Sequence, residues 1–542
     1  MNDQLQTEIF QAMARPDFYP HPVATIDQRE TPISKLVLTG EYAYKIKKCI
    51  YCEFLDLTSL EKRRHYCRQE VALNRRLSND IYLDVVPIFR KKDQYYLAGP
   101  GETVEYAVKM RQIPEKFSMH RLVQRGKLSG DAIDELARML ARFYQYASAG
   151  DTINKSGTWS SIWKNTEENF MQTEQFAGSL IDDHLFEIIR AATRSFLIRR
   201  IALFNRRLER KKIRDGHGDL RTGHIYFCDG IQIIDCLEFK DRFRYADITS
   251  DLAFLAMDLD FEGYPQIAHH LINSFLDYTR DEDMLDLLDF YKCYRACVRV
   301  KANCFVLQKG EIASGKQKIT LRETRRYLNL AYRYAVQFTR PTIWVVCGLP
   351  AGGKTTTAKL MSKMLSLGIL RTGVVRRKLF DLPLDSEQDL PFEEGIYSRE
   401  STARVYRKLL MLAREEIQKG CSIILDGTFS RRHQRDEALR LASDQDANII
   451  FVECRASNET IKRRLARRAA STTISDKRLH NFKQLRTRFE SIKDLPHEIH
   501  LGLDTEMPTA DSFRQILCHD FALLSQQTAK AIKHWKSGSL TF

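Results

Sequence analysis

The spacing of apolar residues changes several times along the chain, and those changes outline its organisation. Between Lys35 and Lys47 (KLVLTGEYAYKIK), apolar and polar residues alternate on both sides of Thr39-Gly40, the pattern of two half-buried strands joined by a turn. A charged amphipathic helix is expected from Ser59 to Leu77. From about Asp131 to Arg210 the apolar positions recur at helical spacing, with a polar break over 150–157. Residues 224–234 revert to short strands around an Asp229-Gly230 turn, and helical spacing resumes from about Ile248 to Phe338. Pro341 ends that run and precedes a strand. Beyond it strand and helix alternate, with strands expected at 343–347, 373–375, 422–425, 449–452 and 499–501. This rhythm predicts a parallel sheet with right-handed crossovers. Two domains follow from the pattern, 1–340 and 341–542, in an α/β multidomain chain.

The segment leaving the first of these later strands carries the clearest chemistry. Gly348, Leu349, Pro350, Ala351, Gly352, Gly353, Lys354 and Thr355 spell a phosphate loop, with Thr356 next in the chain. The glycines let backbone N–H groups curl towards phosphate oxygens. Lys354 reaches the β- and γ-phosphates, and the Thr355 hydroxyl can ligate Mg²⁺. The helix that follows adds its positive end. Downstream, SIILDGTF (422–429) brings Asp426 to the end of a buried strand, where a carboxylate can hold the hydration shell of Mg²⁺. In TIKRRLARR (460–468), Arg464 and Arg468 share a helical face and can close over a transferring phosphoryl group. A solvated basic helix would have the same spacing.

Residues 341–503 resemble the small P-loop kinases grouped with zeta toxins, polynucleotide 5′-kinases and gluconate kinases. The phosphate loop, the stretch 397–429 and the RLARR helix carry the likeness. It implies a P-loop NTPase sheet and ATP binding. Those kinases carry an Asp at the end of the second strand as the base for the acceptor hydroxyl, and Gly373 stands at that place here. ATP binding with weak hydrolysis is therefore expected of this domain, and Asp381 or Asp385 is the alternative acid.

A second constellation lies at 217–226 (HGDLRTGHIY) and 233–239 (IIDCLEF). A loop carboxylate can accept the proton of a hydroxyl nucleophile, and one after a short strand can chelate the metal that bridges nucleotide phosphates. The pair resembles the catalytic core of the aminoglycoside phosphotransferase and choline kinase-like group, over residues 20–335. That resemblance implies a protein-kinase-like α+β domain with Asp219 as base and Asp235 as metal ligand. It also implies that Lys45 contacts the α- and β-phosphates and that Glu70 is its ion-pair partner. Lys47 shares the strand face of Lys45, so the choice between them stays open. The family's usual Asn is His224 here, placed among the metal ligands although imidazole suits Mg²⁺ poorly. Asp251 matches a carboxylate that braces the catalytic loop.

Composition narrows the function. The chain has 542 residues, is 43% hydrophobic and 29% charged, and carries a formal charge of +15. Those fractions suit a soluble globular protein. No apolar run approaches the roughly 18 residues that span a bilayer. The scattered cysteines and the lack of a signal-peptide pattern make a cytoplasmic location the expectation. Cys49 and Cys52 form a lone CxxC without the second pair a zinc site needs. The combined expectation is a fused kinase binding ATP and Mg²⁺ at two nucleotide sites and phosphorylating a small hydroxylated acceptor. A nucleotide-regulated interaction protein and a nucleic-acid end kinase are the alternatives. The charge gives the latter some support, but no RNA-binding signature accompanies it.

Overall fold

Alternation over 35–47 becomes two antiparallel strands, and they begin the larger sheet of the chain. The computed structural model describes residues 2–52, 55–92, 94–310, 314–365, 367–382, 394–471, 482–509, 511–520 and 522–523. By its internal contacts the chain divides into two units, Met1–Tyr332 and Arg333–Phe542. The division falls inside the helix Ser314–Thr339, which stops just before Pro341.

In the first unit the strands of the largest sheet are β1 (Asp27–Glu30), β2 (Ser34–Leu38), β3 (Tyr42–Lys47), β4 (Tyr82–Lys91), β5 (Gln94–Tyr96) and β6 (Glu102–Arg111). They form one antiparallel sheet in the order β1-β2-β3-β6-β4-β5. Helix α1 (Leu60–Asn74) starts at Ser59, whose side chain accepts the Lys62 N–H and caps it. Cys67 and Val71 of α1 pack with Ala43, Val108 and Met110 of the sheet, which fixes the helix against β3 and β6.

Helices dominate the rest of the unit. The break over 150–157 contains a short helix, Asp151–Ser156, between Gly130–Tyr146 and Trp159–Glu174. Two antiparallel pairs interrupt the helices: β7 (Ile213–Asp215) with β10 (Tyr245–Asp247), and β8 (Ile225–Phe227) with β9 (Ile231–Ile233). Helix α2 (Ile248–Glu262) is buried from Ile248 to Phe261, polar residues included, so it is an interior helix. An antiparallel sheet with one helix followed by a helical lobe is the protein-kinase-like α+β fold.

The second unit is built on β11 (Thr342–Cys347), β12 (Gly368–Arg371), β13 (Ile423–Asp426), β14 (Asn448–Arg455) and β15 (His500–Asp504). The strands are parallel, in the order β12-β13-β11-β14-β15. Every residue of β11 is buried, as an apolar run must be when both faces of a parallel sheet are covered. This is the P-loop NTPase sheet. The labelled helices of this unit are α3 (Lys354–Leu365), α4 (Thr372–Leu379), α5 (Arg399–Gln418) and α6 (Asn458–Ser471). Val405, Leu409 and Ala413 of α5 pack on Ile343, Val345 and Leu425 of the sheet.

The strand expected at 373–375 is not one. Those residues lie in α4, and the strand is the preceding GILR segment, paired in register from Gly368↔Ile423 to Arg371↔Asp426. Val374-Val375 has strand-like composition, but Val375 and Leu379, four residues apart, both reach the core as helical neighbours do. Sheet pairing of the earlier segment decides the matter over local propensity.

Candidate active sites

In the first unit β3, α1 and the segment after β9 converge. Lys45 Nζ lies 2.8 Å from Glu70 Oε1 and 2.8 Å from Asp235 Oδ1. Lys47, on the same face of β3, meets the other oxygen of Glu70 and also Glu238. Both lysines therefore use Glu70, and they differ in exposure: 14% of the Lys45 side chain is accessible against 1% of Lys47. Lys45 is the one that an incoming ligand can reach. Burial disfavours both charges, but the carboxylates Asp235 and Glu70 hold Lys45 protonated well above its ordinary value. Asp235 has a left-handed backbone, φ 64°, which Asp tolerates better than most residues. Its N–H donates to the Tyr82 hydroxyl at 3.2 Å, while the next N–H, of Cys236, donates to Asn74 Oδ1 at 2.9 Å.

The HGDL loop is anchored from below. Asp251 Oδ2 accepts the His217 N–H at 2.6 Å and Oδ1 accepts the Gly218 N–H at 2.9 Å. Arg295 donates to the Gly218 carbonyl at 3.0 Å. His217 Nε2 donates to the Ile234 carbonyl at 3.0 Å, tying the loop to the strand that leads to Asp235. Burial pushes the His217 imidazole down to about 4, so it is neutral at pH 7. Asp219 is held in a bidentate pair by Arg221, at 2.8 and 2.9 Å. Burial would raise the Asp219 carboxyl, but Arg221 and His224 outweigh it and lower the group to about 2. Asp235 is lowered as well, with Lys45 and then His224 overriding the effect of burial.

In the second unit the phosphate loop runs from the end of β11 into α3. Gly348 has φ 127°, and a Cβ there would sit 2.5 Å from the Cys454 carbonyl oxygen. Gly353 has φ 98°, and its Cβ would meet Thr505 at 2.8 Å. Only glycine fits either place. Leu349 packs with Ala351, Ile461 and Leu465. Lys354 Nζ donates to the Leu349 carbonyl at 2.7 Å. The Thr355 hydroxyl donates to Asp426 Oδ2 at 2.8 Å, and Thr356 points outward. Arg464 of α6 donates to the carbonyl of Ala351 at 3.4 Å and to that of Thr505 at 2.9 Å. The backbone of Arg468 continues α6, but its side chain lies outside the described residues, as does Asp385. Asp381 is exposed beyond the end of α4.

The molecule has relatives. Residues 343–492 match the family model described as an AAA domain. The chain is 31% identical over 458 residues to uncharacterized protein Rv2004c of Mycobacterium tuberculosis, which covers 84% of this chain and 89% of that one. It belongs to that protein's family. Among solved structures, Plasmodium vivax ethanolamine kinase aligns at 12% identity and a TM-score of 0.36, over 56% of this chain and 81% of that one. The APS kinase of Mycobacterium tuberculosis aligns at 16% identity and a TM-score of 0.26, over 33% of this chain and 96% of that one. Among the described residues no helix is long and apolar enough to cross a membrane.

Both sites have donors for a cation. In the first unit Asp219, His224 and Asp235 each offer a ligand atom, all within 4.8 Å of one another; among the described residues this is the group able to hold a metal. Two carboxylates and an imidazole fit a divalent ion. In the second unit the adjoining hydroxyl of Thr355 and carboxylate of Asp426 are hard oxygen donors of the kind Mg²⁺ takes. Three participants escape the sequence reading. Arg221 was open to notice, two residues after Asp219 in the same loop. Arg371, whose Nε lies 3.2 Å from Asp426 Oδ2, and Thr505, whose hydroxyl donates to the Gly352 carbonyl at 2.8 Å, meet their partners only through the fold.

Proposed function

We propose that the chain is an ATP-dependent phosphotransferase with two nucleotide sites, and that the first unit transfers the γ-phosphoryl group to a hydroxyl of a small molecule. The observation that carries this reading is Lys45 Nζ held between Glu70 and Asp235 at 2.8 Å each, with Asp219 on the adjoining loop. Lys45, fixed by Glu70, presents a positive charge to the α- and β-phosphates. Asp235 and His224 would hold a divalent cation, which would offset phosphate charge when bound. Asp219 orients the acceptor hydroxyl and takes its proton. In the second unit Gly348 to Thr355 cradle the phosphates, Lys354 swings from the Leu349 carbonyl to the γ-phosphate, and Arg464 and Arg468 close over it. Gly373 lies in the first turn of α4, two residues past the end of β12, and with no acid there this unit binds ATP and hydrolyses it slowly.

The bidentate Arg221–Asp219 pair favours a second reading. A carboxylate lowered to about 2 is a weak base, which suits a site that binds nucleotide to regulate an interaction. Incubation of the full chain with γ-labelled ATP and a metabolite extract separates the two. Transfer to an acceptor that is lost in both Asp219→Asn and Asp235→Asn, with nucleotide affinity falling further in Asp235→Asn, supports the phosphotransferase. Absence of any labelled acceptor, with ATP binding intact, supports the regulatory reading.

A further inference from the structure

His224 stands where oxygen donors are usual, and its hydrogen bonds fix what it can do. Nδ1 lies 2.9 Å from the carbonyl oxygen of Asp219, a group that only accepts, so Nδ1 carries the proton. Nε2 lies 3.1 Å from a nitrogen of Arg221, a group that only donates, so Nε2 carries the lone pair. These two partners define which ring nitrogen donates, Nδ1, and which accepts, Nε2. The Nδ1–H···O=C bond is the kind of outer contact that orients a metal-ligating histidine. Nε2 also lies 3.6 Å from Asp235 Oδ2, whereas Lys45 binds Oδ1. The Asp219 carboxylate completes the group within 4.8 Å. The Ile234 N–H donates to the His224 carbonyl at 2.9 Å, which holds the histidine and the Asp235 segment in register.

We infer that His224 Nε2 is a direct ligand in this site, and that the site selects first-row transition dications over Mg²⁺. The inference rests on the reading of Asp219, His224 and Asp235 as a divalent-cation site. Mg²⁺ prefers oxygen donors and keeps its waters, so replacing an amide oxygen by imidazole nitrogen weakens its hold. Transition dications accept imidazole readily, and two carboxylates supply the charge that any dication needs. Arg221 donates to Nε2 and would have to release it to an ion, while its bond to Asp219 can persist.

The probe is Mn²⁺ alone, added to the full chain carrying Asp426→Asn, which removes the anionic metal donor of the second unit. Pulsed EPR of the bound Mn²⁺ should show coupling to a ¹⁴N nucleus, and His224→Asn should abolish it. The preference for Mn²⁺ over Mg²⁺ in competition should be about tenfold greater with His224 intact than in the His224→Asn protein, the scale on which ligand-shell changes act. Bound Mn²⁺ without ¹⁴N coupling in the chain with His224 intact overturns the inference whether or not the variant folds. So does an unchanged metal ratio in a folded His224→Asn protein, or no Mn²⁺ binding at all. These outcomes are separate from the activity: nitrogen-ligated Mn²⁺ with no phosphoryl acceptor sinks the phosphotransferase reading alone, and transfer supported by Mg²⁺ with no nitrogen coupling sinks this one alone.

Discussion

Removing the Glu70 carboxylate would leave Lys45 and Lys47 side by side on one strand with no anion between them. Each lysine would keep one partner, Asp235 for the first and Glu238 for the second. The cost of breaking a buried pair then sits at the low end of its range, about 3 kcal/mol for Glu70→Ala, read as a shift in the urea midpoint. A loss below about 1 kcal/mol would mean that the two remaining carboxylates carry the network. His217 acts through protons instead. It is fully buried, and its folded value of about 4 lies below the ordinary 6.5. Above pH 6.5 neither folded nor unfolded chain protonates it. As pH falls towards 4 the unfolded chain takes up the proton first, so stability drops across that window by about 3 kcal/mol. Denaturant midpoints at pH 7 and pH 4 should differ less in His217→Gln than in the natural chain. An equal difference would show that the imidazole makes no contribution to acid sensitivity.

At the scale of elements, α4 is the instructive case. A Cβ at Gly373 would meet nothing within 4 Å, and the residue lies in the first turn of a helix that follows directly on β12. Gly373→Asp should therefore fold as well as the natural chain, helped by about 0.3–1 kcal/mol from an acid near a helix N-terminus. If the missing acid is what limits the second unit, the variant should gain transfer to a hydroxyl acceptor within the roughly 10²–10⁴-fold range of a general base, at unchanged ATP affinity. No gain, in a protein that still binds ATP, would point to another acid such as Asp381. The phosphate loop was readable in the sequence because its residues are consecutive, so order along the chain is order in space. HGDL and the Asp after the next strand were readable as two short patterns, although only the hydrogen bonds between the loop and the Ile234 segment bring them together. Strand β12 was not: local composition pointed to Val374-Val375, and only pairing with β13 shows that Gly368 to Arg371 is the edge. The strands β4 to β6 went unread between Tyr82 and Arg111, and the sharing of Glu70 by two lysines follows from how α1 packs on the sheet. Neither has a local signature.

For the whole molecule, two units with unrelated phosphate-handling groups should bind two nucleotides. Calorimetry with ATP and a divalent cation should give two sites, with Lys354→Ala removing the one in the second unit and Lys45→Ala weakening the one in the first. A single site in the natural chain would restrict nucleotide binding to one unit. The phosphate loop also depends on residues made long after it. Thr505, 153 positions beyond Gly352, hydrogen-bonds that residue's carbonyl and walls Gly353, and Arg464 ties Thr505 to the carbonyl of Ala351. During synthesis the ribosome therefore releases the complete motif well before its buttress exists. A nascent or prematurely terminated chain ending short of Thr505 displays every residue of the motif yet lacks the scaffold that shapes it, so the loop takes its shape only after translation has passed that threonine.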